Sequence, residues 1–264
     1  MSTLLIVEGS PPEIMAAGHF EADAFLATIK ILAPGTACRP VAPEDVVPGE
    51  IFTGVDGVIF TGSGGPWPAD APEVAPWRDA MKVAMDTGLP IWGSCNGMQL
   101  AALVLGGAVG PSPNGIEIGV TRGMKITEAG QTHPLMAGRS DGYAVACMHR
   151  DEVQRLPEGA ILIASNAHCP IQAFVYEKDG VDFWGAQYHP ELEPKGVAGH
   201  IRRASIYSSF ADLAADLEQG DTAAAAAARL GTTPQAFAPQ NRARELVNWL
   251  AHVAARKAER VTVA

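Results

Sequence analysis

Apolar runs and helical spacings alternate through the first hundred residues. Leu4–Val7 is a short apolar run ending in Glu8-Gly9-Ser10, as expected of a buried strand delivered into a loop. From His19 to Leu32 apolar residues recur at helical spacing (Phe20, Ala24, Ile31), and Pro34-Gly35 stops the pattern. Cys38–Val41 reads as a second strand. Val55–Phe60 reads as a third, bounded by Gly54 and by Thr61-Gly62-Ser63-Gly64-Gly65-Pro66. A helix over Val74–Thr87 ends at Gly88. Ile91–Trp92 then enters Gly93-Ser94-Cys95-Asn96-Gly97, and Met98–Leu105 is helical as far as Gly106-Gly107. Strands and helices alternating over short connections predict an α/β fold, a mostly parallel central sheet with helices on both faces.

After Gly107 the period shortens. Ile116–Val120, Gly123–Ile126, Tyr143–Cys147, Ala160–Ala164, Ile171–Tyr176 and Phe183–Tyr188 are short runs broken by Gly, Pro, Asn or Asp, which predicts added antiparallel strands. From Gly196 the pattern is helical to the end, with breaks near Gly220 and at Gly231-Thr232-Thr233-Pro234. Ala223–Ala228 is simple in composition, and alanine favours helix there. Ile206, Phe210, Leu213 and Leu217 make one apolar stripe. Leu246, Val247, Leu250 and Val253 make another, leaving Arg242, Arg244, Glu245 and Arg256 for the opposite face. The chain therefore divides into a domain over residues 1–195 and a helical extension over 196–264, expected to fold back on it and border its cleft.

Composition narrows the classes. A net charge of −10 without a basic run disfavours a phosphate backbone, so no nucleic-acid partner is expected. No stretch has the length and apolarity of a membrane helix, and the N-terminus lacks the positive flank of a signal peptide. Cys38, Cys95, Cys147 and Cys169 are scattered with no short pairing, which fits free thiols in a reducing cytoplasm. His133, His149, His168 and His200 show no metal-ligand spacing, and no dinucleotide fingerprint is present, so no metal and no cofactor is expected.

Cys95 is set apart by its neighbours. Glycine, a small residue, the nucleophile, one residue and glycine permit a sharp strand-to-helix turn that holds the central side chain exposed. The helix that follows points its free N–H groups at the sulfur and favours the thiolate. Such a nucleophile needs a base. Gln187-Tyr188-His189-Pro190-Glu191 follows a strand-like run and offers His189, with Glu191 to hold its tautomer. Ser63-Gly64-Gly65-Pro66 offers flexible backbone whose N–H groups can face an oxyanion.

These three motifs, in this order, together with Met98-Gln99, resemble the class I glutamine amidotransferases, most of all the glutaminase domain of GMP synthase and its stand-alone relatives. Gly115-Ile116-Glu117-Ile118-Gly119, Thr132-His133-Pro134-Leu135, His149-Arg150-Asp151-Glu152-Val153 and Pro170-Ile171-Gln172-Ala173-Phe174 agree with it, so that the likeness runs from Leu4 to Leu192. The resemblance implies a Cys95, His189 and Glu191 triad that hydrolyses the amide of glutamine or a γ-glutamyl compound through a thioester. It further implies an oxyanion hole from the N–H groups of Gly65 and Asn96. Gly64, Trp67, Gln99, Met148, Arg150 and Asp151 would hold the small-molecule substrate. It leaves open a homodimer or a separate synthase as partner. Trp67 and Arg150 depart from the family's usual small residues, and residues 196–264 extend beyond the usual domain.

Overall fold

The computed structural model describes residues 1–203 and 205–263. The first half holds β1 (Thr3–Val7), α1 (Pro12–Ala16), α2 (Ala22–Leu32), β2 (Ala37–Val41), β3 (Gly57–Phe60), α3 (Ala75–Met85), β4 (Pro90–Ser94) and α4 (Asn96–Val104). The middle holds β5 (Ala108–Pro111), β6 (Glu117–Val120), β7 (Lys125–Ile126), α5 (Glu128–Thr132), β8 (Ala146–His149), β9 (Asp151–Arg155), β10 (Ile161–Ser165), β11 (Ala173–Lys178) and β12 (Val181–Ala186). Helices α6 (Pro194–Arg203), α7 (Ala211–Leu217), α8 (Ala224–Arg229), α9 (Pro239–Arg242) and α10 (Arg244–Val263) follow.

Eight strands form the main sheet in the order β2-β1-β3-β4-β12-β11-β10-β7. Pairing is parallel from β2 to β12 and antiparallel from β12 to β7. Two further antiparallel pairs, β5 with β9 and β6 with β8, stand outside it. This is the predicted mostly parallel sheet with added antiparallel strands.

Strand alternation explains why both faces need cover. Leu4 and Ile6 of β1 point to one core with Phe25 and Ile29 of α2 and Leu246, Trp249 and Val253 of α10. Leu5 and Val7 point to the other, against Trp77 and Met81 of α3 and Met98 of α4. Trp92 and Trp249 meet with ring centroids 6.3 Å apart, and both are fully buried. Removing the Trp249 ring should cost roughly 3–5 kcal/mol. A third core joins Val197, Ala198 and Ile201 of α6 to Ala214 and Leu217 of α7 and to Val120 and Ala146.

Several local expectations are corrected. The helix expected from His19 begins at Ala22, because the buried Glu8 carboxylate accepts from the N–H groups of Glu21 and Ala22 at 3.2 and 2.9 Å and caps it there. Phe20 consequently lies outside the helix and Ile31 on its exposed side. The strand expected over Gly123–Ile126 shrinks to β7, and that over Tyr143–Cys147 sits later, at β8. Ile206 is 61% exposed and does not continue the buried face of α7, since Ser205–Phe210 is a 3-10 helix. Arg242 and Glu245, expected on a solvent face, are 2% and 0% exposed. Hydrogen bonds to five partner residues make this tolerable. Arg242 donates to Pro190 O, Glu191 O and Thr28 Oγ1 at 2.9, 3.0 and 3.0 Å. Glu245 accepts a forked pair from Arg139 and a third bond from Tyr188.

Candidate active site

The turn from β4 into α4 places Cys95 at the C-terminal end of the parallel strands, a region where open α/β sheets bind ligands. Cys95 has φ +50° and ψ −108°, and only Asp179 shares a positive φ among the described non-glycine residues. Such backbone costs about 1–3 kcal/mol and persists only where its surroundings impose it. Here the Cys95 N–H donates to Ala186 O at 2.7 Å and the Gly97 N–H to Thr61 O at 3.1 Å. Glycine is required on both sides of the turn. A Cβ on Gly93 would lie 2.8 Å from the Gly97 carbonyl carbon, and one on Gly97 would lie 2.8 Å from Thr61 O and nearer still to Phe60 O.

A hydrogen-bonded relay converges on the sulfur. Trp92 Nε1–H donates to Ser94 Oγ at 2.9 Å, and the Ser94 hydroxyl donates to Glu191 Oε2 at 2.9 Å. Glu191 Oε1 lies 2.7 Å from His189 Nδ1. A Cβ on Gly62 would come 3.0 Å from His189 Cε1 and 3.9 Å from Cys95 Cβ, so the imidazole and the cysteine share one small space. Burial opposes an imidazolium, but Glu191 and Cys95 outweigh it and hold the His189 pKa well above its ordinary value. With Nδ1 held by Glu191, Nε2 is the nitrogen free to work on the sulfur. The other buried thiols are in the opposite condition: burial pushes Cys147 and Cys169 well up, so neither supplies thiolate near neutrality.

A cavity of about 640 Å³ opens beside the sulfur, lined by Cys95 together with Gly64, Gly65, Trp67, Asn96, Gln99, Met148, Arg150 and Asp151. The structure thus brings together all the residues the sequence nominated for substrate and oxyanion binding, with His189 and Glu191 behind the cavity wall. The Cys95 thiol donates to Met148 O at 3.6 Å. Gln99 Nε2 donates to Asp151 O at 2.7 Å and to Gln187 Oε1 at 3.1 Å, and Gln187 Nε2 in turn donates to Cys95 Sγ at 3.4 Å. Arg150 Nη2 reaches Gly65 O at 3.4 Å. Asn96 opens α4, so its N–H has no acceptor within the helix. The Gly65 N–H instead donates to Ser63 Oγ at 3.2 Å.

Four contributors escaped sequence reading. Ser94 and Gln187 lie inside motifs already singled out, and only their spatial partners reveal their part. Glu21 and Tyr207 line the cavity from distant segments, and no local pattern marks them. Among the described residues one group, Glu177, Asp182 and His252, brings three ligand-type atoms together. It sits at the opposite end of β12, where Arg256 and His252 pair with Asp182 and Trp184 donates to Glu177. No described helix is long and apolar enough to cross a membrane.

Comparison with known proteins adds three findings. The family model for class-I glutamine amidotransferases matches residues 42–206. A gamma-glutamyl-L-1-hydroxyisopropylamide hydrolase from a Pseudomonas species is 36% identical over 165 residues, which cover 60% of this chain and 56% of that protein. A glutamine-hydrolysing GMP synthase from Thermomicrobium roseum is 33% identical over 154 residues, 57% of this chain but 26% of that protein. The matched region thus spans about half of the first relative and about a quarter of the second. Among solved structures, a glutamine amidotransferase from Thermotoga maritima superposes with a TM-score of 0.62 at 19% identity, covering 96% of this chain and 97% of its own. One from Methylobacillus flagellatus gives 0.58 at 22% identity, covering 97% and 93%. These two likenesses concern the fold.

Proposed function

Because the chain belongs to the class I glutamine amidotransferase family, we propose that it is a cysteine-dependent hydrolase of the side-chain amide of glutamine or of a γ-glutamyl amide. The observation that carries this reading is the continuous Ser94, Glu191, His189 relay ending at a backbone-strained Cys95 beside a cavity.

In the proposed reaction Cys95 Sγ attacks the amide carbon and the carbonyl electrons move to oxygen. The Asn96 N–H stabilises that oxyanion, joined by the Gly65 N–H once it leaves the Ser63 hydroxyl. His189 Nε2 gives its proton to the departing nitrogen as the C–N bond breaks, leaving a thioester and ammonia or an amine. Water then attacks the thioester with its proton passing to His189, and the glutamate product leaves with the thiolate restored. Glu191 keeps the Nδ1 proton in place throughout. Gln99 and the backbone of Met148 to Asp151, with Gly64, Trp67 and Arg150, would receive the glutamyl portion. Residues 1–195 would be the catalytic domain, and 196–264 a helical extension that completes its entrance.

A self-contained hydrolase is favoured over a glutaminase subunit by the residues of α6 and the 3-10 helix after it, which border the cavity (His200, Arg203, Ile206, Tyr207). The second reading, ammonia delivery to a separate synthase, draws on the GMP synthase relatives. Assay of the purified chain against glutamine and a panel of γ-glutamyl amines tests both. Ammonia or amine release lost in Cys95→Ala, with a thioester adduct on Cys95 seen by mass spectrometry, is the expected result. Release unaffected by Cys95→Ala would overturn the reading.

A further inference from the structure

Two groups of residues line the cavity beside the sulfur. On one side, the Cys95 thiol donates to the Met148 carbonyl and Gln99 donates to the Asp151 carbonyl. On the other, Ile14, Ala17, His19, Glu21, His200 and Arg203 form the wall. A Cβ on Gly62 would meet the His189 ring at 3.0 Å and one on Gly64 would meet Glu21 Oε1 at 3.4 Å, so the glycine loop links this second wall to the imidazole side. In the proposed reaction His189 protonates the leaving nitrogen, so the amine part of the substrate points toward this wall.

Glu21 brings a carboxylate with unused capacity to this wall. Its backbone is fixed, with the Glu21 N–H donating to Glu8 Oε1 at 3.2 Å at the start of α2. Its Oε1 lies against the glycine loop, 3.4 Å from where a Cβ on Gly64 would stand, beside Ile14. No described residue donates to its carboxylate. Burial, with the nearby Glu8 and Glu191, pushes its pKa up to about 7 against the pull of His189 and Arg203. A half-buried carboxyl without a donor is costly, and a ligand that supplies one is rewarded in proportion. His200, by contrast, is pushed down to about 4 by burial and by Arg203 and His189, and stays neutral.

We infer that Glu21 is the specificity-determining acceptor of an amine-side subsite, which selects γ-glutamyl amides whose amine carries its own hydrogen-bond donor, a hydroxyl or an ammonium. An amine ending in a carboxylate is disfavoured by the same residue. This deepens the γ-glutamyl amide reading above and rests on it.

A matched series tests it: γ-glutamyl propylamide, hydroxypropylamide, aminopropylamide and a carboxypropylamide, assayed with the wild type, Glu21→Ala and Glu21→Gln. The expected wild-type kcat/KM favours the donor-bearing amides over the propylamide. In Glu21→Ala that ratio falls about tenfold to a hundredfold, the range for a hydrogen bond to a charged group. Glu21→Gln separates the two donors, retaining the hydroxypropyl preference if a hydroxyl is the natural donor and losing chiefly the aminopropyl preference if it is an ammonium. Both variants should improve the carboxypropylamide relative to the propylamide. A ratio unmoved in both variants, or a wild type that prefers the propylamide or the carboxypropylamide, overturns the inference while leaving the hydrolase reading intact. A folded wild type that cleaves neither glutamine nor any of the four overturns both. Should the variants not fold, the wild-type preference decides by itself.

Discussion

The two ends of the central sheet both carry buried or half-buried charge, and they treat it differently. At the end where β4 delivers Cys95 and β12 delivers His189, the backbone is strained, a cavity adjoins, and hydrogen-bonding capacity is left over: the Asn96 N–H, the Glu21 carboxylate, and an Asn96 Oδ1 without a partner among the described residues. At the other end the carboxylates of Asp182, Glu177 and Asp56 are matched. Asp182 pairs with His252 and Arg256, Glu177 with His133 and Trp184, and Asp56 with Lys257, Arg260 and the Thr3 N–H. Charge clusters alone therefore do not support the site proposed here. Strain beside an unfilled demand for partners does. Helix α10 and the short helix before it serve both ends, with Arg242 and Glu245 behind the relay and Lys257 and Arg260 on Asp56.

The largest expected effect tests the strained end directly. Cys95→Ala should lower turnover by on the order of 10⁴-fold or more with little change in thermal stability. Cys95→Gly should be equally inactive yet more stable than Cys95→Ala, by about 1 kcal/mol, because glycine accepts a positive φ. Equal melting temperatures for the two would remove strain from the comparison.

Glu191→Gln comes next, with kcat expected to fall by roughly 10²–10⁴-fold. Its pH profile carries a sign. Glu191 helps raise the His189 pKa, so the imidazolium, and activity that needs it as an acid, is retained below that raised value and lost as pH rises through it. The variant's alkaline limb should move toward acid, as read from kcat/KM against pH. A limb that stays in place would detach Glu191 from the imidazole.

Arg242→Met asks whether the C-terminal helices matter to chemistry as well as folding. Loss of the bonds to the Pro190 and Glu191 carbonyls should cost roughly 3 kcal/mol and lower kcat more than it changes KM. Arg242→Lys should recover part of both. An Arg242→Met enzyme that is destabilised but retains kcat would show scaffolding only.

Glu177→Gln, at the quiet end, should leave activity unchanged. His133, and Trp184 as a further donor, hold Glu177 at about 2, below its ordinary 4.5. A carboxyl with a depressed pKa stabilises the fold above its unfolded value and loses that contribution as pH falls toward the folded one. After allowance for exposure, the variant should be weaker by about 0.5–1 kcal/mol near neutral pH. The gap should close between pH 4.5 and about 2, measurable by denaturant melts across that window.

Legibility in the sequence followed the range of the interactions. The parallel sheet was readable because each strand announces itself by its own apolar run, and Cys95 because glycines at fixed offsets permit one kind of turn. His189 and Glu191 were readable as a dipeptide-spaced pair after a strand. Arg242, Glu245 and Glu21 were not. Their burial depends on partners in distant segments, Arg242 on Thr28 and Pro190 and Glu245 on Arg139, and a helical pattern assigns an arginine to solvent unless those partners are known. The late start of α2 has the same origin, since its cap comes from Glu8 and not from a neighbour in sequence.

The glycines on either side of Cys95 bear on how this gene tolerates change. In a saturation library scored separately for cellular abundance and for turnover, position 95 should part the two scores, with full abundance and no turnover for alanine. Positions 93 and 97 should keep them together. There even alanine drives a methyl group into the backbone of a neighbouring segment, so the polypeptide is lost before its chemistry can be asked about.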